Sequence, residues 1–279
     1  MSSSSISLSI IVPTMNSEDY IIETLSNVLA IDSSENIEIL VSDNFSSDGT
    51  RAILEGFSDS RLRLIYWNNR MSASEHWTEI TKKASGEFVK LVCADDIVFA
   101  PEVLSQLDLA KSDSRLSMVA SPRGVISDSG RLLLKKRGLN SLLGFHKGKE
   151  AVKKSLLTGT NDFGEPLCVL FRTSSLMRCL PWDESFPYVI DLDMYSKVLN
   201  IGDFYGLEQP VGAFRLAKNS WSNSLIDQQV DDFNNWIDKA SLEGRFDLNS
   251  KEIASVKRSV RKQGMRRMVV TKLVTLLKL

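Results

Sequence analysis

The first half of the chain alternates short apolar runs with segments in which apolar residues recur at helical spacing. Apolar runs typical of strands occupy residues 9–12, 37–41, 62–66, 88–93 and 116–120. Between the first two runs, Ile21, Leu25 and Val28 fall on one face of a helix. A strand–helix rhythm of this kind predicts an α/β protein with a mostly parallel sheet flanked by helices.

Two prolines indicate element boundaries in the first half, and the second half of the chain contains further predicted strands and helices. Pro13 has no N–H group, so we expect it to end the first strand, whereas Pro101 suits the first turn of a helix. Later segments predict a hairpin over 123–134, a strand over 167–171, and helices over 192–200 and 228–240.

The composition of the chain excludes some classes of binding partner and indicates a cellular compartment. The 279 residues carry 34 Lys and Arg against 35 Asp and Glu, and this balance argues against a nucleic-acid partner. Three cysteines fit a reducing compartment, and two histidines argue against a His-rich zinc site. The start does not resemble a signal peptide, and no apolar run approaches the ~20 residues that span a bilayer. We therefore expect a cytoplasmic protein.

The last 29 residues differ in charge from the rest. Residues 251–279 contain nine basic residues and one acid, and their end is apolar. A basic amphipathic helix of this kind is typical of a peripheral anchor on an anionic membrane, here the inner face of the plasma membrane. The alternative is a helix that packs on the domain or on a second copy of the chain.

Aspartates follow two of the predicted strands. Asp43 lies after the second strand, and Asp95 and Asp96 lie after the fourth. In a parallel sheet, ligands bind beyond the carboxyl ends of the strands. Two adjacent carboxylates repel each other unless a cation lies between or beside them, and Mg²⁺ or Mn²⁺ uses such oxygens together with substrate phosphates. The alternative for Asp95 and Asp96 is a solvated turn before the next helix.

Three segments resemble a known family in their order and spacing. They are residues 8–16 (LSIIVPTMN), residues 43–50 (DNFSSDGT), and residues 86–96, which run from GEFVK to ADD. They resemble glycosyltransferase family two, which has the GT-A fold, and the resemblance covers residues 6–220. It implies a Rossmann-like sheet with a C-terminal helical extension outside it. It also implies inverting transfer of a sugar from a nucleotide diphosphate donor with a divalent cation, Mn²⁺ or Mg²⁺.

The resemblance assigns expected roles on the donor side. Asp43 would contact the donor base, Asp96 would bind the metal, and Asp95 would bind the donor ribose or belong to the metal shell. Cys93 stands where many members have an aspartate. Further donor contacts are expected from Pro13, Thr14, Asn16 and His76, although a lone histidine is more often structural.

On the acceptor side, the resemblance implies that Asp191 is the general base, with Asp193 as the rival. Ile190 replaces the family's usual acid before Asp191. An inverting displacement needs one carboxylate to take the proton of the acceptor hydroxyl. Arg215 is expected to reach the diphosphate, a role that Lys218 could also fill.

These expectations combine into one prediction of organisation and function. Residues 1–220 would form the GT-A domain, with a nucleotide-sugar half (1–121) and an acceptor half (122–220), followed by a helical segment (221–279). The donor would be UDP- or dTDP-type, and the acceptor a glycan or lipid-linked saccharide of surface polysaccharide biosynthesis. The alternative is a non-catalytic nucleotide-sugar-binding or assembly module of the same fold. A nicotinamide enzyme is disfavoured because no Gly-x-Gly-x-x-Gly follows the first strand.

Overall fold

The computed structural model describes residues 5–32, 35–217 and 221–276. The strands in these residues are β1 (Leu8–Thr14), β2 (Ile37–Asp43), β3 (Leu62–Tyr66), β4 (Phe88–Leu91), β5 (Ile97–Val98), β6 (Leu116–Ala120), β7 (Arg123–Ser127), β8 (Leu132–Arg137), β9 (Gly144–His146), β10 (Val169–Arg172), β11 (Asp203–Gly206) and β12 (Gly212–Leu216). The helices are α1 (Ile21–Leu29), α2 (Thr50–Glu55), α3 (Ala73–Thr81), α4 (Ala100–Ser112), α5 (Gly148–Leu157), α6 (Thr173–Met177), α7 (Ile190–Leu199), α8 (Trp221–Ser224), α9 (Gln229–Leu242) and α10 (Ser250–Leu276).

The main sheet has the strand order β3-β2-β1-β4-β10-β6-β11-β9. Strands β1 to β4 are parallel, as the alternating pattern predicts. Strand β10 from the second half lies between β4 and β6 and runs antiparallel to both. The α/β class with flanking helices is therefore confirmed, and the sheet is mixed at its centre.

The expectation that Pro13 ends the first strand is wrong. Strand β1 continues to Thr14, and Pro13 is in register with Ser42 of β2. The carbonyl of Ile11 accepts a bond from Val92 at 3.0 Å, so Ile11 and, two residues on, Pro13 face the β4 side. Pairing with β4 ends at Ile11, so no strand needs a bond from the nitrogen of Pro13.

A second sheet of order β5-β12-β7-β8 stands beside the first. The predicted hairpin forms it in part, as β7 and β8 pair antiparallel. Strand β12 pairs with β7 on one side and with the short β5 on the other. Because β5 directly follows Asp95 and Asp96, this sheet holds the acidic loop in place.

The C-terminal helices share the core of the domain. Phe233 and Trp236 of α9 are buried in the same hydrophobic cluster as the central strands, and so are Val256 and Val260 of α10. The first half of the basic tail therefore packs on the protein, which matches the alternative expectation. The side chains of residues 270–279 lie outside the described part, and none of the helices within it combines the length and apolar composition of a membrane-spanning segment.

Candidate active site

A cleft of about 500 Å³ opens at the carboxyl ends of β1 and β4. Its walls come from residues 13–17 at the end of β1 and beyond it, residues 70–77 at the start of α3, residues 93–96 after β4 and residues 187–191 at the start of α7. The segments are far apart in sequence, and the parallel strands bring the first three to one edge of the sheet. The cleft therefore lies where the predicted topology puts a ligand site.

The acidic loop after β4 contributes Asp95 and Asp96 to the cleft. The Oδ1 atom of Asp96 accepts a bond from the backbone N–H of Arg215 at 3.2 Å, while its Oδ2 atom is buried without a hydrogen-bond partner. Burial raises the pKa of the Asp96 carboxyl well above its usual value, and the negative charge of Asp95 adds to this effect. A cation beside the pair would remove both penalties.

The chemistry of this pair fits a divalent cation that is shared with a substrate. Among the described residues, no group of three or more His, Cys, Asp or Glu side chains could hold a metal ion by itself. Mg²⁺ and Mn²⁺ accept oxygen ligands, and Mg²⁺ commonly uses one or two carboxylates together with substrate phosphates. Two adjacent carboxylates, one with an unpartnered buried oxygen, match that type of site.

The end of β1 and the loop that follows it also line the cleft. Pro13, Thr14 and Asn16 all face the cleft, and the hydroxyl of Thr14 is buried without a hydrogen-bond partner. Asn16 has φ of 50°, a conformation that Asn tolerates better than most residues, and its side-chain oxygen accepts the N–H of Ser47 at 2.8 Å. Three residues expected to contact the donor thus lie together on one wall.

Asp43 does not reach the cleft surface, contrary to expectation. Its carboxylate is fully buried at the end of β2 and forms an ion pair with Arg51 of α2 at 3.1 Å. The neighbouring Asn44 lines the cleft instead, and its side-chain amide donates to the carbonyl of Met71 at 2.9 Å. Because Arg51 comes from the following helix, the sequence motif alone did not reveal that Asp43 has a structural partner.

His76 lies in the cleft wall near the end of β2. It belongs to α3, which begins at a capping box formed by Ser72 and Glu75. Its Nε2 atom is 2.8 Å from the hydroxyl of Ser42. Burial lowers the pKa of His76 to about 4, so the ring is neutral at pH 7. A neutral ring can take part in hydrogen bonding but cannot supply a positive charge to a phosphate.

Arg215 has a different position from the one expected. It is 2% exposed, and its guanidinium is ion-paired with Glu23 of α1. It also donates to the carbonyls of Asp95 and Asp128, at 2.9 and 3.0 Å. Arg215 therefore fixes the acidic loop from behind and does not line the cleft; Lys218 lies outside the described residues.

Asp191 faces the cleft from the first turn of α7. Its Oδ1 atom accepts the backbone N–H of Leu192 at 2.7 Å, and its Oδ2 atom accepts the amide of Asn161 at 2.8 Å. Burial raises the pKa of Asp191 to about 7, and the negative charge of Glu165 adds to that rise. A carboxylate with a pKa near 7 suits proton transfer at neutral pH.

Asp193, the rival base, has a structural environment. It is buried and forms ion pairs with Lys197 and Arg245, and the indole N–H of Trp236 donates to it at 3.0 Å. It does not line the cleft. Of the two candidates, only Asp191 is placed where a substrate hydroxyl could reach it.

Comparison with known proteins decides the family. A family model described as glycosyl transferase family 2 matches residues 9–180, more than half of the chain. This chain belongs to glycosyl transferase family 2.

Two glycosyltransferase relatives match only part of this family 2 chain. A 102-residue segment is 36% identical to the Escherichia coli protein named UDP-Glc:alpha-D-GlcNAc-diphosphoundecaprenol beta-1,3-glucosyltransferase WfgD and covers 37% of this chain and 40% of that protein. A 91-residue segment is 32% identical to the putative teichuronic acid biosynthesis glycosyltransferase TuaG of Bacillus subtilis and covers 32% of this chain and 36% of that protein. The matched segments thus span well under half the length of these relatives.

Solved structures of similar fold cover nearly the whole chain. S. aureus TarS 1-349 in complex with UDP-GlcNAc matches with a TM-score of 0.68 at 17% identity, covering 91% of this chain and 71% of that one. The mannosyltransferase PcManGT from Pyrobaculum calidifontis, in complex with GDP-Man and Mn²⁺, matches with a TM-score of 0.60 at 16% identity, covering 90% of this chain and 68% of that one. These likenesses confirm the GT-A fold.

Three further polar residues belong to this family 2 site, of which only Glu165 was indicated by the sequence, through the resemblance of residues 164–166 to an acceptor-side loop of the family. Glu165 lines the cleft, and its carboxylate accepts Nη2 of the buried Arg123 at 2.6 Å. Tyr188 lines the same side, and Asn161 orients Asp191. Nothing in the sequence marks Asn161 or Tyr188.

Proposed function

We propose that this protein is an inverting glycosyltransferase. It transfers a sugar from a UDP- or dTDP-type nucleotide sugar to a hydroxyl of a glycan or lipid-linked glycan during surface polysaccharide biosynthesis. Family membership and the names of WfgD and TuaG support the reaction class. The observation that carries the proposal is that Asp191 and the Asp95–Asp96 pair line one cleft from opposite halves of the chain.

In this proposal Asp191 is the general base. Its carboxylate takes the proton of the acceptor hydroxyl while that oxygen forms a bond to the anomeric carbon of the donor sugar. The bond between that carbon and the diphosphate breaks, and the nucleoside diphosphate leaves. The side-chain amide of Asn161 donates a hydrogen bond to Oδ2 of Asp191 and so fixes the orientation of the carboxylate in the cleft.

Asp96, with Asp95 beside it, would hold a divalent cation, Mn²⁺ or Mg²⁺. When bound, the cation supplies positive charge to the diphosphate as it leaves. The nucleotide would contact Pro13, Thr14, Asn16 and His76. Asp43 would act indirectly: its ion pair with Arg51 would hold the end of β2, and so the neighbouring Asn44, in place beside the nucleotide. The Mn²⁺ named for PcManGT supports a cation in this fold.

We also propose a division of labour along the chain. Residues 1–121 bind the nucleotide sugar, residues 122–220 form the acceptor half, and residues 221–279 form a helical segment. The exposed face of α10 carries Arg258, Arg261, Lys262 and Arg266, together with Met265 and Val269. This face would bind the anionic inner surface of the plasma membrane from the cytoplasm.

A thermal-shift panel tests donor binding. A ligand that binds only the native state raises the melting temperature by mass action. We expect a uridine or thymidine diphosphate, or a sugar nucleotide derived from one, to raise the melting temperature in the presence of Mn²⁺ and much less in its absence. No shift with any nucleoside diphosphate would contradict the proposed function.

A further inference from the structure

Trp221 is an exposed aromatic residue that lines the cleft. It is the first residue of α8, and 39% of its surface is exposed. An indole ring carries one of the largest apolar surfaces of any side chain, and burial of that surface stabilises a protein. A single exposed aromatic residue is common on a protein surface, so the neighbours of Trp221 decide its significance.

Trp77 of α3 packs against the ring of Trp221 in the wall of the cleft. Trp77 lines the cleft as well, and the two ring centres are 6.2 Å apart with an interplanar angle of 72°. On its other side, Trp77 packs edge-to-face on the buried Trp182 at 5.1 Å. Edge-to-face contacts are a favoured geometry for aromatic pairs. Three indole rings therefore connect the core to the cleft, and the outermost of them belongs to Trp221.

The same aromatic contacts continue to the helix that carries the proposed base. Trp182 contacts Phe171 with ring centres 6.3 Å apart, and Phe171 contacts Tyr195 at 5.7 Å. Tyr195 follows Asp191 by four residues in α7, so the two side chains lie on one face of that helix. Trp221 and Asp191 therefore line one cleft and are fixed by one set of packed rings.

The exposed fraction of the lining residues separates the inner part of the cleft from its outer part. Asp96 is 1% exposed, whereas Trp221 is 39% exposed. The reacting atoms of both substrates have to reach the acidic loop and Asp191, and an acceptor saccharide extends from there towards solvent. We therefore place Trp221 where the acceptor leaves the cleft.

The chemistry of the cleft wall suits a sugar ring. A pyranose has faces formed by C–H groups, and such a face packs on the negative face of an aromatic ring. Its hydroxyls need hydrogen-bond partners, and the cleft offers the carboxylates of Asp191 and Glu165, the latter fixed by Arg123 at 2.6 Å. An aromatic wall with a few fixed polar groups is typical of a pocket for a small polar molecule.

We propose that Trp221, supported by Trp77, is a platform on which a pyranose ring of the acceptor saccharide stacks. Stacking would hold this ring so that one of its hydroxyls is directed at Asp191. The inference rests on the proposed function, because it names the residue that binds the acceptor sugar at the same site.

The nucleobase of the donor is a less suitable occupant of the platform. The proposed nucleotide contacts come from the carboxyl ends of β1 and β2. Trp182, which anchors the platform, packs on Phe171 of β10, and β10 lies on the other side of β4 from β1 and β2. The sheet order thus places the anchor of the platform away from the nucleotide end of the cleft.

Saturation-transfer difference NMR tests the platform without relying on turnover. The probes are the methyl α- and β-glycosides of glucose, galactose and N-acetylglucosamine, added to the full-length protein with Mg²⁺ and a saturating nucleoside diphosphate in the donor site. When the aromatic protons of the protein are irradiated, we expect at least one glycoside to receive saturation, most strongly at the C–H protons of one ring face. Trp221→Ala should weaken its binding about fivefold or more, and Trp221→Phe should weaken it less. Absence of saturation transfer to every glycoside in wild type would overturn the inference.

Phe99→Ala is the matched control, because Phe99 is 40% exposed and does not line the cleft. It should leave glycoside binding unchanged. Equal effects of Phe99→Ala and Trp221→Ala would overturn the platform, and so would unchanged binding in Trp221→Ala. Because Trp221→Phe keeps an aromatic ring in contact with Trp77, it reports on binding even if Trp221→Ala loses stability.

Calorimetry with UDP, dTDP and their glucose derivatives separates the acceptor from the donor. Trp221→Ala should leave the affinity for all four unchanged. Weaker binding of the nucleoside diphosphates would assign the ring to the nucleobase, and weaker binding of the nucleotide sugars alone would assign it to the donor sugar; either result would overturn the inference. Absence of nucleoside diphosphate binding by wild type would instead count against the proposed function, while the NMR experiment repeated without nucleotide would still decide the platform.

Discussion

Asp191 and Asp193 are two residues apart, yet their surroundings give them different properties. Asp191 is held by neutral donors in the cleft, and its pKa is raised to about 7. Asp193 is held by two cations and an indole in the core. The neutral partners of Asp191 leave it able to accept a proton near pH 7, whereas the partners of Asp193 tie its carboxylate into the core.

The first prediction at this scale concerns pH. A general base acts in its deprotonated form, so the rate of sugar transfer should rise with pH and level off above about 7, the pKa of Asp191. The measurement is kcat/KM between pH 5 and 9, with donor affinity measured over the same range as the control. A rate that is constant from pH 5.5 to 8 would be contrary to the role of Asp191.

The second prediction compares two variants in stability. In Asp193→Asn the buried Arg245 loses its ion pair with Asp193 and keeps the one with the more exposed Glu243, and breaking a buried pair costs up to about 3–5 kcal/mol. Asp191→Asn removes a carboxylate whose raised pKa means that the folded state disfavours its charge, so at pH 8 it should not lower the free energy of unfolding. Chemical denaturation of both variants at pH 8 checks this. A similar loss in both would show that Asp191 is also structural.

At the residue scale, the sequence correctly predicted three acidic side chains of the cleft, two that follow β4 and one in the first turn of α7. Asp95, Asp96 and Asp191 all line the cleft as expected. Asp43 and Arg215 do not, because their partners, Arg51 and Glu23, come from helices whose packing a motif does not specify. The positions of side chains that depend on tertiary partners could not be predicted.

At the scale of elements, the short strands of the second sheet decide where the acidic loop lies. Strand β12 supplies the backbone N–H that binds Asp96 and pairs with β5 next to it. An added Cβ at Gly212 would lie 2.1 Å from the carbonyl oxygen of Ile97. This close approach requires glycine, so β5 and β12 can pair only with that residue present.

Gly212→Ala should therefore lower the free energy of unfolding by about 1–3 kcal/mol, as overpacking does, and weaken cation-dependent donor binding. Gly124→Ala in the neighbouring strand β7 is the matched control, because its Cβ would come no closer than 3.4 Å to any neighbour. Thermal unfolding and donor titration measure both effects. Equal stability of the two variants would contradict the role assigned to the β5–β12 contact.

Strands with a clear apolar run in the sequence were predicted, two of them with correct bounds, whereas strands without one were missed. Strands β3 and β6 begin and end where their apolar runs predicted. Strands β5, β9 and β11 have two to four residues each and were not predicted, because so short a run is ambiguous without its partner strand. Strand β12 was not predicted either, because its apolar run, Ala213 and Phe214, is no longer. The antiparallel insertion of β10 depends on pairing between distant segments, which local patterns do not encode.

At the scale of the whole molecule, helix α10 of the basic tail has one buried face and one exposed face. Val256 and Val260 bury one face of α10 in the core, and Lys257 pairs with Asp238 of α9 at 2.6 Å. The opposite face is exposed and basic. Charge asymmetry predicted the basic helix, but whether it packs on the domain or faces a membrane could not be decided without the core contacts.

Reversing the charge of the exposed basic residues of α10 tests whether this face binds a membrane, because it leaves the buried face of the helix unchanged. The variant Arg258→Glu, Arg261→Glu, Lys262→Glu should bind phosphatidylglycerol vesicles at least tenfold more weakly at low salt, since each basic residue contributes about 1 kcal/mol near an anionic surface. Its melting temperature should stay within a few degrees of wild type because these side chains are exposed. Vesicle flotation gives the affinity, and undiminished binding would argue against a membrane role for this face.

The central claim is that one cleft joins a donor site at Asp95 and Asp96 to a base at Asp191. The most direct test measures donor affinity and sugar transfer together in wild type, Asp96→Asn and Asp191→Asn. We expect Asp96→Asn to lose cation-dependent donor binding, and Asp191→Asn to keep donor affinity while transfer falls about a hundredfold to ten-thousandfold. Transfer at the wild-type rate by Asp191→Asn, with donor affinity unchanged, would contradict the account.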